Sequence, residues 1–318
     1  EIEIYKILTD DFILTNKTPH IVGYYDHYKI NLKDIFGKCP SLKQHYLKKE
    51  TELFKNKFDK LKCSLKQNFK NGLIKNNADV LVIEKCPNTI QDYVSLIINS
   101  NNKNKYKILA EVIDIIIFQV IFTLAVIQEK YPSFVHNDFF LRNIMGNIIS
   151  KYKPNAFNEY KFKNKIFYLP ANCLSIKIND FGDVLSKPNM ISTNILFKSI
   201  IINQDRINCQ KCDVFNFFHD LYDGQELGSK SINSMMIKKS KENKSLIRNV
   251  FKKYIDVDLI DKINKDGNKN KLNWTWYIND ISFLKKIVKT PKQYLNSTIF
   301  DKFTKKQKNA IITNKYGI

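Results

Sequence analysis

Two short segments hold the residues with the most chemical potential in this sequence. His136-Asn137-Asp138-Phe139-Phe140-Leu141-Arg142-Asn143 places a carboxylate and, five residues later, a carboxamide on one tight loop. Asp180-Phe181-Gly182 brings a second carboxylate to the end of a strand-like run, Leu174 to Ile178. Phosphoryl transfer asks for this set: a base that orients an attacking hydroxyl in line, and hard oxygen ligands for magnesium ions that neutralise phosphate charge. Asp138 suits the base, and Asn143 and Asp180 suit the metal. A purely structural reading has Asp138 capping a turn, Asn143 satisfying backbone groups and Asp180 closing a strand. Either segment alone occurs by chance, but the two in this order, behind a long apolar helix, favour the chemical reading.

The elements that must position these residues are legible from periodicity. Glu1 to Leu8 has helical spacing, and Thr18-Pro19 stops any helix before a strand-like run from His20 to Ile30. Ala78 to Glu84 reads as a buried strand ended by Cys86-Pro87, and Thr89 to Ile98 and Tyr106 to Gln128 read as helices. The most apolar stretch, Val112 to Ile127, contains Asp114 and Gln119 and falls short of the roughly 20 apolar residues that cross a bilayer. It reads as a buried helix, so no transmembrane segment is expected. Ile166 to Leu169 and Leu174 to Ile178 are strand candidates, and beyond Cys212 the chain reads as helical. Residues 37–77 are Lys-rich and look inserted, with apolar spacing that fits an amphipathic helix. The chain opens on Glu1 inside a helix, so residues upstream are expected to be missing from it.

Length and composition bound the rest. At 318 residues, 43% hydrophobic and 13% aromatic, with only 9 Gly and 8 Pro, the chain can bury a real core and is neither disordered nor fibrous. A net charge of +21 points to a polyanion such as nucleic acid or a virion core, yet the 36 Asn beside many Ile, Lys and Tyr bespeak AT-rich codons, which alone supply lysine. Weak, non-specific nucleic-acid contact is the expectation. Six scattered cysteines without a signal peptide point to a reducing compartment. Cys209 and Cys212 form one CxxC without the second pair that zinc requires.

At these residues the chain resembles the eukaryotic-type protein kinase family. Thr18-Pro19-His20-Ile21-Val22 looks like the turn before the fourth N-lobe strand, Leu81 to Pro87 like the fifth strand and hinge, and Asp213-Val214-Phe215-Asn216-Phe217 like the start of the central C-lobe helix. More narrowly, HNDFFLRNIM, NEYKFKNKIFYLP, IKINDFG and the late Pro291 to Leu295 are similar to kinases of large nucleocytoplasmic DNA viruses, which implies infected-cell cytoplasm or the virion. The resemblance implies an α+β, kinase-like fold of two lobes: a partial N-lobe over residues 1–87, with the Lys-rich insertion in it, and a mostly helical C-lobe over 88–318. It implies ATP and Mg as cofactors and a protein Ser/Thr substrate. Asp138 would be the base, His136 a support of its loop, Asn143 and Asp180 the metal ligands and Glu1 the helix glutamate of an ion pair. Ile83, Glu84 and Cys86 would meet the adenine.

The departures from that family are informative. No Gly-rich loop and no strand-borne Lys precede Glu1, so the chain is expected to lack its first three strands and to bind ATP poorly. Asn137 replaces an Arg, which argues against activation by a phosphate paired there. Phe140 stands where Ser/Thr kinases usually have Lys, and Arg142 where some tyrosine kinases have Arg. No APE motif follows Gly182. The 37 residues from Asn143 to Asp180 imply an insertion, about 150–172, forming an extra hairpin. Two alternatives stay open: a pseudokinase scaffold of a virion, and a small-molecule kinase of the aminoglycoside or choline type.

Overall fold

A predominantly apolar run from Val112 to Ile127, in which Asp114, Gln119 and Thr123 are the polar members, is buried along its length and becomes the axis of the structure. The computed structural model describes residues 1–31, 77–148, 155–171, 174–184, 206–222, 240–261 and 288–318, with Ile232 and Met235. Most of the Lys-rich stretch 37–77 lies outside the described residues, as do 150–154 and 172. Helices and strands are mixed, as an α+β fold requires, and they separate into two units. Tyr24 to Glu84, with Ile2, form the smaller; Glu1, Glu3 to Gly23 and Lys85 to Ile318 form the larger.

In the smaller unit, β1 (Tyr24–Asn31) pairs antiparallel with β2 (Asn77–Ile83), placing Tyr28 opposite Val80 and Ile30 opposite Ala78. The expected strand from His20 therefore begins four residues later, and Ile21 makes only an isolated bridge to Ile178. Nor is β2 buried as its apolar run predicts. Only β1 pairs with it among the described residues, so its faces stay largely accessible, with Val80 38% exposed.

The larger unit opens with α1 (Ile2–Leu8), which buries Ile4, Tyr5 and Leu8 and runs into a π-helical turn, Thr9–Ile13. A two-residue strand β3 (Asn88–Thr89) leads into α2 (Ile90–Asn99), where Thr89 and Asp92 form a reciprocal capping box. The axial helix α3 (Lys105–Lys130) is long and apolar enough to cross a membrane by composition, but its apolar side chains are buried inside the protein. Phe118 meets Phe122, Tyr160, Phe167, Phe300 and Phe303, a cluster in which edge-on rings predominate.

Against this helix lies the sheet of the site. β4 (Ile144–Ile148) is central, with β3 on one side and β7 (Leu174–Ile178) on the other, Ile144 opposite Ile178. The stretch expected to form a hairpin does so: β5 (Ala156–Phe162) and β6 (Lys165–Pro170) pair antiparallel. The expectation of an all-helical chain beyond Cys212 is corrected by β8 (Ile311–Gly317), which pairs parallel with β5. Gly317 sits at φ +132°, where a Cβ would lie 1.8 Å from the Lys161 carbonyl oxygen, so only glycine closes this strand.

Helices complete the unit: α4 (Arg206–Tyr222), α5 (Lys241–Phe251) and α6 (Pro291–Asn296), followed by a 3₁₀ segment, Thr298–Phe303. Asp213 is thus in the middle of α4 rather than at its start. It does not cap the helix, because its carboxylate is turned to another loop.

Candidate active site

That loop is the one carrying His136 to Asn143. Phe140 ends an extended stretch and Leu141–Asn143 form a single 3₁₀ turn, which brings Asn143 back over Asp138. The Asn143 amide donates to the Asp138 carbonyl oxygen at 2.8 Å and to Asp138 Oδ2 at 2.7 Å. Those two bonds fix which way the amide points and turn its Oδ1, the atom able to ligate a hard cation, away from Asp138. Arg142 pairs with Asp138 Oδ1, and its guanidinium carbon lies 4.6 Å from the centre of the Phe140 ring. The Asp138 carboxylate is thereby held through both oxygens.

Backbone pairing joins the two halves of the motif. The Asn179 N–H donates to the Asn143 carbonyl oxygen at 2.9 Å, one residue before Asp180. Asp180 itself adopts φ +62° and Asn137 φ +65°, left-handed conformations that Asn and Asp tolerate better than other residues with a Cβ. Both lie at turns that change the chain's direction beside the site. Asn137 holds its neighbour segment directly, its amide donating to the Asp183 carbonyl oxygen at 2.7 Å.

His136 is fully buried between these segments, 5.2 Å from the rings of Phe139 and Phe181. Burial pulls its imidazole below the usual histidine range. The Asn179 carbonyl can only accept, so His136 Nε2 carries the proton and donates to it at 2.9 Å. Nδ1, buried without a partner, is then the bare nitrogen of a neutral ring. Asp213, also fully buried, accepts from the His136 N–H at 2.7 Å and the Asn137 N–H at 3.1 Å. Loss of water pushes its carboxyl up to about 7 against the pull of those two donors.

Glu1 lies at the other side of the Asp180 turn: a Cβ on Gly182 would be 3.5 Å from Asp180 Oδ1 and 3.9 Å from Glu1 Oε2. Partial burial, and next the Asp180 charge, raise the Glu1 carboxyl. Among the described residues Glu1 makes no ion pair with a lysine or arginine.

The structure therefore gathers Glu1, His136, Asp138, Asn143 and Asp180 within one unit. Ile83 ends β2 and Glu84 closes the smaller unit, whereas Cys86 is half-buried in the larger one. No cluster of three or more His, Cys, Asp or Glu side chains suited to a metal occurs among the described residues. A magnesium site built from one carboxylate, one carboxamide and nucleotide phosphates does not need such a cluster, and Asp180 with Asn143 supply hard oxygen donors of that kind. Sequence reading passed over Tyr5 and Asp220. Tyr5 was detectable as the residue one turn after Glu1 on the same helical face, and Asp220 as two turns after Asp213.

Two known proteins are similar to this chain in sequence, one of them along its whole length. A protein of Acanthamoeba polyphaga mimivirus, named provisionally as a serine/threonine-protein kinase, is 33% identical over all of this chain and 81% of its own length. A second mimivirus protein with the same kind of name is 27% identical over 57% of this chain and 36% of its own. No family model matches. The first relative, 33% identical over the whole chain, shows the class: a phosphotransferase of the protein kinase kind. Within that class the chain belongs to the family of giant-virus protein kinases that these relatives represent.

Proposed function

We propose that this kinase transfers the γ-phosphoryl group of magnesium-bound ATP to serine or threonine hydroxyls of proteins. The observation that carries the reading is the grip on Asp138: a carboxylate held by Asn143 at 2.7 Å, with the segment that carries Asp180 tied to Asn143 through the 2.9 Å Asn179 backbone bond. Asp138 takes the proton of the attacking hydroxyl as its oxygen bonds to the γ-phosphorus, while the bond from that phosphorus to the bridging oxygen of the β-phosphate breaks and ADP leaves. Asn143 and Asp180 would hold magnesium, which would supply positive charge against that building on the phosphate oxygens. His136 keeps the two segments in register and Glu1 belongs to the polar surroundings of Asp180. Two lobes with adenine met by Ile83, Glu84 and Cys86 complete the reading. The names of both relatives favour serine or threonine, and their source favours the infected-cell cytoplasm or virion, where the basic surface would meet polyanions weakly.

The test is phosphate transfer by the full chain from magnesium-ATP to casein, followed by phosphoamino acid analysis. Asp138→Asn keeps the shape and loses the base, and turnover should fall by at least roughly a hundredfold. Turnover at the level of the unaltered protein would remove Asp138 from the reaction.

A further inference from the structure

We propose that Tyr5 is a positioning residue for Asp180, locking α1 to the turn that presents the metal-binding carboxylate. The inference rests on the reading of Asp180 as a metal ligand. Tyr5 is 1% exposed, and its ring stands edge-on to Phe181 with centroids 4.9 Å apart. Its hydroxyl does what the ring cannot. It accepts the Asp180 N–H at 2.9 Å and donates to Asn179 Oδ1 at 2.5 Å, so one oxygen bridges the two residues that form the turn.

Asp180 needs this support because its backbone sits at φ +62°, a conformation that a residue with a Cβ keeps only when its surroundings determine it. The backbone N–H is the group whose direction changes most if that turn relaxes. Fixing it from α1 fixes the plane of the peptide and hence where the carboxylate starts. Asn179 is held on its other sides, its carbonyl by His136 and its N–H by the Asn143 carbonyl, so the Tyr5 hydroxyl completes a three-sided grip on the segment. An aliphatic side chain at this position would keep the packing against Phe181 and supply none of the polar contacts.

The variant Tyr5→Phe removes one oxygen and preserves the ring; Tyr5→Leu preserves apolar bulk and serves as a second variant. Amide hydrogen exchange, read by mass spectrometry on the peptide spanning residues 177–184 in the full chain, should quicken roughly tenfold in both, the effect of one lost buried hydrogen bond. The magnesium concentration giving half-maximal phosphate transfer should rise several-fold, with a modest fall in melting temperature for Tyr5→Phe and a larger one for Tyr5→Leu. Unaltered exchange with an unaltered magnesium requirement would overturn the proposal, as would lost turnover with unaltered exchange. Asp180→Ala separates the two ideas. If it leaves the magnesium requirement untouched, the metal reading fails; if it abolishes magnesium dependence while Tyr5→Phe behaves as the native chain, only the role of Tyr5 fails.

Discussion

Asp138 illustrates how little of a side chain's role is contained in its identity. A carboxylate offers about four acceptor positions; here Arg142 takes one on Oδ1 and Asn143 one on Oδ2, which fixes the carboxylate plane and leaves acceptor capacity for a hydroxyl. Arg142 and Asp138 are both partly exposed, at 40% and 23% of their side chains, and a pair of that kind is worth only about 0.2–1 kcal/mol to folding. Its value must therefore lie in geometry. A misplaced reactive group can cost roughly a hundredfold in rate, so Arg142→Ala should lower kcat by about ten- to a hundredfold while the KM for ATP and the melting temperature hardly move. Arg142→Lys should recover part of it, since an ammonium pairs with the carboxylate but does not lie flat on Phe140. Steady-state kinetics with melting curves on the same samples decide it: an unchanged kcat in Arg142→Ala would show that Asn143 alone orients the base. Asp138 and Asn143 stand out in the sequence because they lie five residues apart on one loop, and Asp180 because it opens a short motif of its own with Phe181 and Gly182. The guanidinium, noticed there only as a substitution, acquires its meaning from the 3₁₀ turn that folds it back over the loop.

The helices act on this loop from outside. Asp213 and Asp220 stand two turns apart on one face of α4, and between them they receive three of its backbone N–H groups: those of His136 and Asn137 at Asp213, and that of Leu141 at Asp220, 2.6 Å away. Asp213 serves its two donors on separate oxygens. An amide has one acceptor oxygen, so Asp213→Asn must leave one buried N–H facing another donor, at a cost of about 1–3 kcal/mol in urea unfolding. No loss of stability would mean that these N–H groups find other acceptors. Gln119 of α3 behaves as a surrogate strand for β7, its amide donating to the Leu174 carbonyl at 2.9 Å and accepting the Ile176 N–H at 2.8 Å, beside the bridge from Ile21 to Ile178. Such pairings explain what the sequence shows and what it hides. Helix α3 and strands β4 to β7 follow from apolar period and from turns, which are local properties. β8 was hidden because Ile311 to Gly317 alternates weakly and owes its strand form to a partner about 155 residues away. The position of Asp213 within α4 was hidden for the same reason: the segment that looks like the start of a helix lies inside one, and its carboxylate is bound to a distant loop.

Over the whole molecule, two buried titrating groups oppose each other as pH changes. His20 is 1% exposed and stacks on Tyr160; its Nδ1 donates to the Ile176 carbonyl at 3.0 Å and its Nε2 accepts from the Tyr160 hydroxyl at 3.0 Å, so the folded ring is satisfied only when neutral. Burial lowers its titration from 6.5 to about 3, and the Lys177 charge assists. A group depressed in the folded state stabilises above its unfolded value and loses that contribution as pH falls, here from 6.5 towards 3. Asp213 has the reverse sign. Raised from 3.8 to about 7, it contributes fully below 3.8 and loses its contribution as pH rises through 7. Acidification from 6.5 to 4 thus costs stability at His20 while Asp213 returns some, and the growing repulsion within a chain of charge +21 adds to the cost. Comparison of variants cancels that shared repulsion. His20→Gln can still donate and accept but does not titrate, so its stability relative to the native chain should improve by about 1.4 kcal/mol for each pH unit between 6 and 4. Asp213→Asn should show the reverse, losing ground to the native chain as the pH falls. Guanidinium unfolding at a series of pH values from 4 to 7.5 measures both differences. A pH-independent offset for His20→Gln would mean that His20 takes up its proton in the folded protein, and the neutral bridge between β7 and the β5–β6 hairpin would have to be abandoned.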